Sequence, residues 1–342
     1  MQTEPGKRLS DLTSLRLGGV ASEFFTVAER EDLLSATKFI KERKLTWRVL
    51  GGGTNVLVAD AGFPGMVLHM SLQGIDSQEK GDKIILTAAA GENLDDLVAY
   101  TVEQGWGGME SLSSIPGTVG ATPVQNVGAY GVEVADLIVE VEVWDFANEV
   151  FRILTNADCQ FAYRDSVFKH PEGSDLVVTA VTFALDAQPH INLQYQDLQR
   201  YFANQPDDQE LTLVDVRRAV QEIRRGKFPP LDGEVGTAGS FFKNPLISPK
   251  VAANLVEKYP GLPVYPDSAT GQCKISLAYL LDKVLGLKGY REGQVALYEQ
   301  QPLILVTYPG ATTTEVESFA KSITAKVAAA TGVVIEREVR SW

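Results

Sequence analysis

The sequence predicts an α+β protein built from two or three domains. Helical and strand periods alternate through the first half, two glycine-rich loops break that alternation, and a well-signalled helix followed by a terminal strand closes the chain. At 342 residues, 44% hydrophobic and 22% charged, it has the balance of a globular protein with a substantial core. No run approaches the roughly 18 apolar residues of a membrane span. The N-terminus carries no apolar signal region, so export is not expected and a cytoplasmic location is.

The first helix is expected from about Arg30 to Arg43, with Leu33, Ala36 and Ile40 on one face. Strands follow near 47–50, 56–59 and 65–70 and from Lys83 to Ala90. Asn93 or Gly91 caps a helix that runs to about Glu103 and stops at Gly105. Apolar and charged residues alternate from Ile138 to Trp144, the pattern of a half-buried strand, and 151–154 and 176–185 read as further strands. The polar, amide-rich stretch 186–206 reads as a boundary or mobile loop. Past Thr212 helices dominate: one ends near Arg225 with Val216, Val220 and Ile223 on one face, and others lie near 248–258 and 276–285, with a strand at 303–306. The helix after Thr312 has the strongest signals. Thr312 and Glu315 form a capping-box pattern, Val316, Phe319, Ala320, Ile323 and Val327 line one face, and Gly332 ends it before a last strand at 333–339.

The formal charge of −13 disfavours nucleic acid as a partner but leaves room for an anionic small ligand held by local Lys and Arg. Cys159 and Cys273 are the two cysteines, and no C-x-x-C occurs, which argues against a disulfide framework or zinc site. His69, His170 and His190 lack metal-ligand spacing, so no metal is expected.

The loop at 115–131 holds four glycines and two prolines and has neither helical nor strand period. Glycines allow close backbone approach and prolines limit slack, while Gln125 and Asn126 add uncharged donors and acceptors. The second cluster, Gly51, Gly52, Gly53, Thr54 and Asn55, follows the apolar run 47–50. A strand ending in such a run forms a nest of N–H groups suited to phosphate oxygens. It is neither a Rossmann fingerprint nor a Walker A loop. Each loop alone reads equally as a turn-rich connection; together they favour a nucleotide site.

Three further patches carry chemistry. The run from Gly239 to Pro245 sets the Ser240 hydroxyl, the Lys243 ammonium and the Asn244 amide beside two phenylalanines, without a G-x-S-x-G elbow or a nearby histidine; Ser240 reads otherwise as a turn or cap residue. Between Phe161 and Lys169, Arg164 offers a planar fork for a carboxylate or phosphate, or merely pairs with Asp165. In the terminal stretch Glu336, Glu338 and Arg340 share one strand face and Ile335, Arg337 and Val339 the other.

On the 51–55 loop, the 115–131 loop, the run from Tyr163 to Ser166, the run from Gly239 to Pro245 and the ending at Arg340, in this order across essentially the whole chain, the sequence resembles the UDP-N-acetylenolpyruvoylglucosamine reductase (UDP-N-acetylmuramate dehydrogenase) family of bacterial peptidoglycan synthesis. The resemblance implies a vanillyl-alcohol-oxidase-like FAD-binding fold of two α+β subdomains, 1–70 and 71–210, and an α+β substrate-binding domain, 211–332, with the strand about 333–342 returning near the flavin. It implies non-covalent FAD, NADPH as reductant, and a UDP-sugar enolpyruvyl ether as substrate. Hydride passes from flavin N5 to the terminal vinyl carbon, and a proton reaches the adjacent carbon from Ser240. Arg164 and Glu338 match the groups that polarise the substrate carboxylate and stabilise the enolate-like intermediate, with Glu336 as the alternative carboxylate because the motif reads Glu-Arg-Glu where many relatives have proline between the two. The residues matched to FAD are Gly51 to Asn55, then Ile115, Pro116, Gly117, Gly120, Gln125, Asn126, Gly128, Ala129, Tyr130 and Gly131, and finally Arg340. Lys227, Asn244 and Tyr163 match positions that hold the substrate. Tyr195 matches a tyrosine on a mobile loop that covers the diphosphate, the mark of one subgroup. The chain stops at Trp342, where relatives often continue, so tail contacts to FAD are not expected. No protein partner is legible, and a monomer is compatible with the sequence. The competing readings are another FAD-dependent oxidoreductase of the same fold and a non-catalytic flavin or sugar-nucleotide binder.

Overall fold

The computed structural model describes residues 2–203, 210–267 and 270–342, and these form two units. The first takes the N-terminal residues through Lys7, Ala21–Gly52 and Pro64–Arg225; the second takes Arg8–Val20, Gly53–Phe63 and Gly226–Trp342.

In the first unit the helix Arg30–Arg43 forms as expected. Glu29 and Asp32 make a reciprocal capping box, Lys44 ends the helix in the left-handed conformation, and Leu33, Ala36 and Ile40 are buried. Thr37 on the same face accepts a hydrogen bond from the Trp144 indole at 2.9 Å, which ties the helix to a five-stranded antiparallel sheet. That sheet runs Val150–Thr155, Ile138–Asp145, Leu176–Asp186, Lys83–Ala89 and Ile75–Lys80 in spatial order. The outermost strand, Ile75–Lys80, is exposed along its length, and its polar composition hides it from the sequence pattern. A second sheet places Trp47–Leu50 parallel to Phe63–Met70. One hydrophobic core spans Phe25 to Leu213, so residues on both sides of the expected division at 70/71 pack together.

The stretch 186–206 does not divide the units. It holds a short helix, Gln196–Phe202, whose Leu198 and Phe202 pack with Val216, Ala219 and Val220 of helix Leu213–Lys227. Of that stretch, 204–206 lie outside the described residues. The division falls after Arg225.

Helices hold more residues than strands past Thr212, as expected, but the second unit also contains short strands that the sequence did not mark. It has one antiparallel sheet in the order Gly236–Ser240, Ile304–Thr307, Val295–Leu297, Arg291–Glu292 and another of Leu246–Ile247, Cys273–Ile275 and Val264–Pro266. These strands have two to five residues, too few for a period-of-two signal. The helices are Pro249–Lys258, Leu277–Tyr279 continuing as a π turn Leu280–Val284, and Thr313–Thr331 with the expected Thr312–Glu315 box and Gly332 stop. The expected last strand at 333–339 is not a ladder. Its Glu336 and Glu338 bond residues 241–243, and the chain then switches partners, pairing Arg340–Ser341 in parallel with Val56–Leu57. Divided between two partners, it builds a regular strand on neither.

Asp60 closes the N-terminus of the Thr313–Thr331 helix, accepting from the backbone N–H of Thr313 at 2.8 Å and of Thr314 at 3.2 Å. Burial pushes its carboxyl up, but the bonds from Thr313 and Thr314 outweigh that and hold it below its ordinary value. Asp60→Ala is expected to cost about 1 kcal/mol of stability in denaturant unfolding at neutral pH. Because the folded value is depressed, that contribution is present above the unfolded value and disappears as pH falls through the folded one, so variant and parent converge in acid.

Candidate active site

Strand Trp47–Leu50 delivers the chain to Gly51 and Gly52, which lie against the second loop within the first unit. A Cβ on Gly51 would stand 2.4 Å from Thr118 Oγ1, and one on Gly52 would stand 3.0 Å from Gly117 Cα. Two glycine-bearing backbones therefore meet where side chains do not fit. The second loop is fastened to the start of helix Leu94–Glu103: Leu94 N–H donates to Gly117 O at 3.0 Å and Val119 N–H to Glu92 O at 2.9 Å. Gly53, Thr54 and Asn55 belong to the second unit, where Ser14 N–H donates to Gly53 O at 3.0 Å.

Farther along the loop the structure engages Asn126 heavily. Its amide donates to Glu133 at 2.7 Å and Ala162 O at 3.1 Å, accepts from Ala135 N–H at 3.1 Å, and is buried. Its side chain thus holds the loop in shape. Arg164 is fixed to the same loop: Nη2 donates to Gly128 O at 2.7 Å, and Nη1 to Asn126 O at 3.2 Å and Glu133 at 3.4 Å. The carboxylate found beside Arg164 is that of Glu133, at 3.4 Å. Asp165 pairs with His170 at 2.9 Å, and Ser166 is a buried donor to Val124 O at 2.6 Å. Arg164 also stands 5.2 Å from the Tyr163 ring. Ser114, Asn126, Tyr130 and Arg164, none of them glycine, all take left-handed backbone, the clustering that marks functional sites.

Tyr130 meets Tyr195 edge-to-face at 5.3 Å, linking the loop to the start of helix Gln196–Phe202. Burial pushes the Tyr130 phenol up to about 12, so it stays neutral through physiological pH. Its hydroxyl is bonded to Arg224, whose guanidinium burial pulls down and whose Nε donates to Ser114 O at 3.2 Å. Sequence reasoning missed Glu133 and Arg224. Both act through pairings distant in sequence, and no periodicity marks them.

In the second unit Ser240 ends strand Gly236–Ser240 and is half-buried beside the fully buried Phe241 and Phe242. Glu338 N–H donates to Phe241 O at 2.9 Å, and Asn55 Nδ2 donates to Glu338 O at 3.4 Å. Arg340 N–H donates back to Asn55 O at 3.2 Å. The backbone of Phe241, the residue after Ser240, is therefore tied through the Glu338 backbone to Asn55 of the first glycine loop, which also accepts from the Arg340 backbone. Asn244 Oδ1 accepts from Leu277 N–H at 3.0 Å, which fastens the segment after Ser240 to the next helix. Lys227 is half-buried at the end of helix Leu213–Lys227. Glu336 instead pairs with Lys243 at 3.4 Å, its side chain 76% exposed.

This donor set suits FAD. The first glycine loop runs into strand Val56–Leu57 rather than a helix, so a phosphate group at Gly51 and Gly52 would meet backbone N–H groups and not a helix end. Gly117 at φ +124 and Gly131 at φ +87 are left-handed and bear no Cβ, which leaves room for close approach of a flat ring system.

A family model described as an FAD binding domain matches residues 21–153, and one described as the UDP-N-acetylenolpyruvoylglucosamine reductase C-terminal domain matches 230–342. The UDP-N-acetylenolpyruvoylglucosamine reductase of Chromobacterium violaceum is 42% identical over 93% of this chain and 92% of its own length. That of Bdellovibrio bacteriovorus is 37% identical with both chains fully covered. The crystal structure of UDP-N-acetylenolpyruvylglucosamine reductase from Thermus caldophilus superposes with a TM-score of 0.69 at 27% identity, covering 100% of this chain and 99% of that one.

Proposed function

The chain belongs to the UDP-N-acetylenolpyruvoylglucosamine reductase family, and from that membership we propose how its own residues carry out the reaction. It is an FAD-containing oxidoreductase that uses NADPH to reduce the enolpyruvyl group of UDP-N-acetylglucosamine enolpyruvate, giving UDP-N-acetylmuramate for peptidoglycan synthesis. When bound, FAD would supply the hydride chemistry that links NADPH to the terminal vinyl carbon of the substrate.

Ser240 supplies the proton to the adjacent carbon. The O–H bond breaks, the new C–H bond forms with the enolate electron pair, and the serine oxygen takes a proton back from solvent before the next turnover. Serine is a weak acid, so the donation requires a basic enolate and a fixed hydroxyl. Arg164 holds the substrate carboxylate, where negative charge grows as hydride arrives, and a guanidinium already anchored at three acceptors needs no reorganisation to stabilise it. Glu338 stabilises the same intermediate. Lys227, Asn244 and Tyr163 hold the phosphates and sugar, and Tyr195 covers the diphosphate. The two glycine loops and Arg340 hold FAD. The assignment of residues 1–70 and 71–210 to FAD and 211–332 to substrate belongs to this reading, as does a cytoplasmic location; among the described residues no helix is long and apolar enough to cross a membrane.

The observation that supports the reading is the run of bonds from the carbonyl of Phe241, the residue after Ser240, through the Glu338 backbone to Asn55, which ties the segment bearing the proton donor to a glycine-loop residue. Anaerobic titration tests it. NADPH is expected to bleach the flavin, and the enolpyruvyl sugar nucleotide to restore the oxidised spectrum stoichiometrically. Flavin that is reduced but not reoxidised by this substrate would refute it.

A further inference from the structure

The register of strand Gly236–Ser240 contains a feature that the reaction does not by itself explain. Thr237 lies opposite Val306, yet Ser240 lies opposite Ile304, so three steps on one strand match two on the other. This is a β-bulge, with Ala238 and Gly239 together facing Leu305. Directly opposed residues share a face of the sheet, and Val306 and Ile304, two apart, also share one. Thr237 and Ser240 are therefore on the same face although three residues apart, an arrangement that an unbulged strand forbids. A single-residue slip would turn the Ser240 side chain to the other face.

Two observations show what fixes the bulge. Gly239 has φ +72, the left-handed conformation of a bulge glycine. The Thr237 hydroxyl, on a side chain only 3% exposed, accepts from Gly239 N–H at 3.2 Å and donates to Leu305 O at 3.0 Å. One buried hydroxyl thus ties the bulge to the neighbouring strand on both sides of the register shift. Immediately after it, Phe241 N–H donates to Leu303 O at 2.8 Å and the regular pairing resumes.

We propose that Thr237 is a positioning residue for the proton donor: through Gly239 it locks the bulge that keeps Ser240 on the reacting face. This rests on the assignment of Ser240 as the donor, and it adds a residue that touches neither substrate nor cofactor. Thr237→Val keeps the shape but removes both bonds. Gly239→Ala approaches the same lock differently, since nothing lies within 4 Å of the added Cβ and only the backbone angle is penalised.

In anaerobic stopped flow, both variants are expected to reduce flavin with NADPH within about twofold of the parent. Reoxidation by the enolpyruvyl substrate is expected to slow by about 10- to 100-fold, the scale of an ångström-sized misplacement. Thr237→Ser should restore the rate to within about threefold, because it returns the hydroxyl. Amide hydrogen exchange over 236–242, measured without NADPH or substrate, should rise in Thr237→Val and return to the parental level in Thr237→Ser. Ser240→Ala serves as the reference. If it slows reoxidation while Thr237→Val and Gly239→Ala do not, the positioning role is overturned and the donor assignment stands. If Ser240→Ala reoxidises at the parental rate, the donor assignment itself fails. Equal slowing of both half-reactions, loss of FAD from both variants, or no rescue by serine would each reduce Thr237 to a folding residue and overturn the proposal.

Discussion

Ser240→Ala is expected to leave reduction of the flavin by NADPH at its parental rate and to slow reoxidation by the enolpyruvyl substrate by about 10²–10⁴-fold. The split follows from where the hydroxyl is needed. No proton moves to carbon during the first half-reaction, so a methyl group in place of the hydroxymethyl costs nothing there. In the second, the carbon beside the hydride acceptor becomes basic, and the nearest O–H has been removed. Packing does not change the outcome: Ser240 is half-buried at a strand end, and its backbone pairing with Ile304 is independent of its side chain. Ser240→Cys keeps an acidic proton at nearly the same place and is expected to recover part of the rate, with a pH dependence the parent lacks. In deuterium oxide the parental reoxidation should slow and the product should carry solvent deuterium at the protonated carbon. Reoxidation of the alanine variant at the parental rate is the result that would remove Ser240 from the mechanism.

How much of this was legible in sequence depended on whether a signal was local. The helices Arg30–Arg43 and Thr313–Thr331 were legible because their buried faces and end residues lie within a few positions of one another. Strand Ile75–Lys80 was not, since an edge strand with solvent on both faces carries no alternation. Past Thr212 the helices were legible, but most of the short strands between them were not, for a related reason. The strand Gly236–Ser240 is made of glycine, threonine, alanine and serine, residues that pack in a narrow space without looking like a strand. At the site, the residue types were visible and their partners were not. Arg164 stood beside Asp165 in the chain, but its carboxylate partner is Glu133, which the fold brings from 31 residues away. The bulge before Ser240 was invisible for the same reason: register is a property of two strands, and one of them is 60-odd residues downstream.

The pair Glu338→Ala and Glu336→Ala should give opposite results although the residues are two apart and similar in sequence context. Glu336 points to solvent with its side chain 76% exposed and pairs with Lys243 at 3.4 Å. An exposed pair of this kind contributes about 0–1 kcal/mol, so its removal is expected to change kcat and kcat/KM by less than about threefold. Glu338 is half-buried, its backbone N–H is bonded to the carbonyl of the residue after Ser240, and its own carbonyl is held by Asn55. These bonds fix the Glu338 backbone beside the residue after Ser240, so a carboxyl group donating a hydrogen bond to the enolate from there would act as one preorganised donor, and loss of one such donor typically costs about 10²–10³-fold in kcat. Glu338→Ala is therefore expected to lower kcat by that amount, with flavin content and NADPH half-reaction unchanged, because none of these bonds runs through its carboxylate. Steady-state kinetics on the two variants in parallel decide the matter. A large loss in Glu336→Ala with near-parental Glu338→Ala would transfer the role to Glu336, and the surface pair with Lys243 would then have to open for the reaction to proceed.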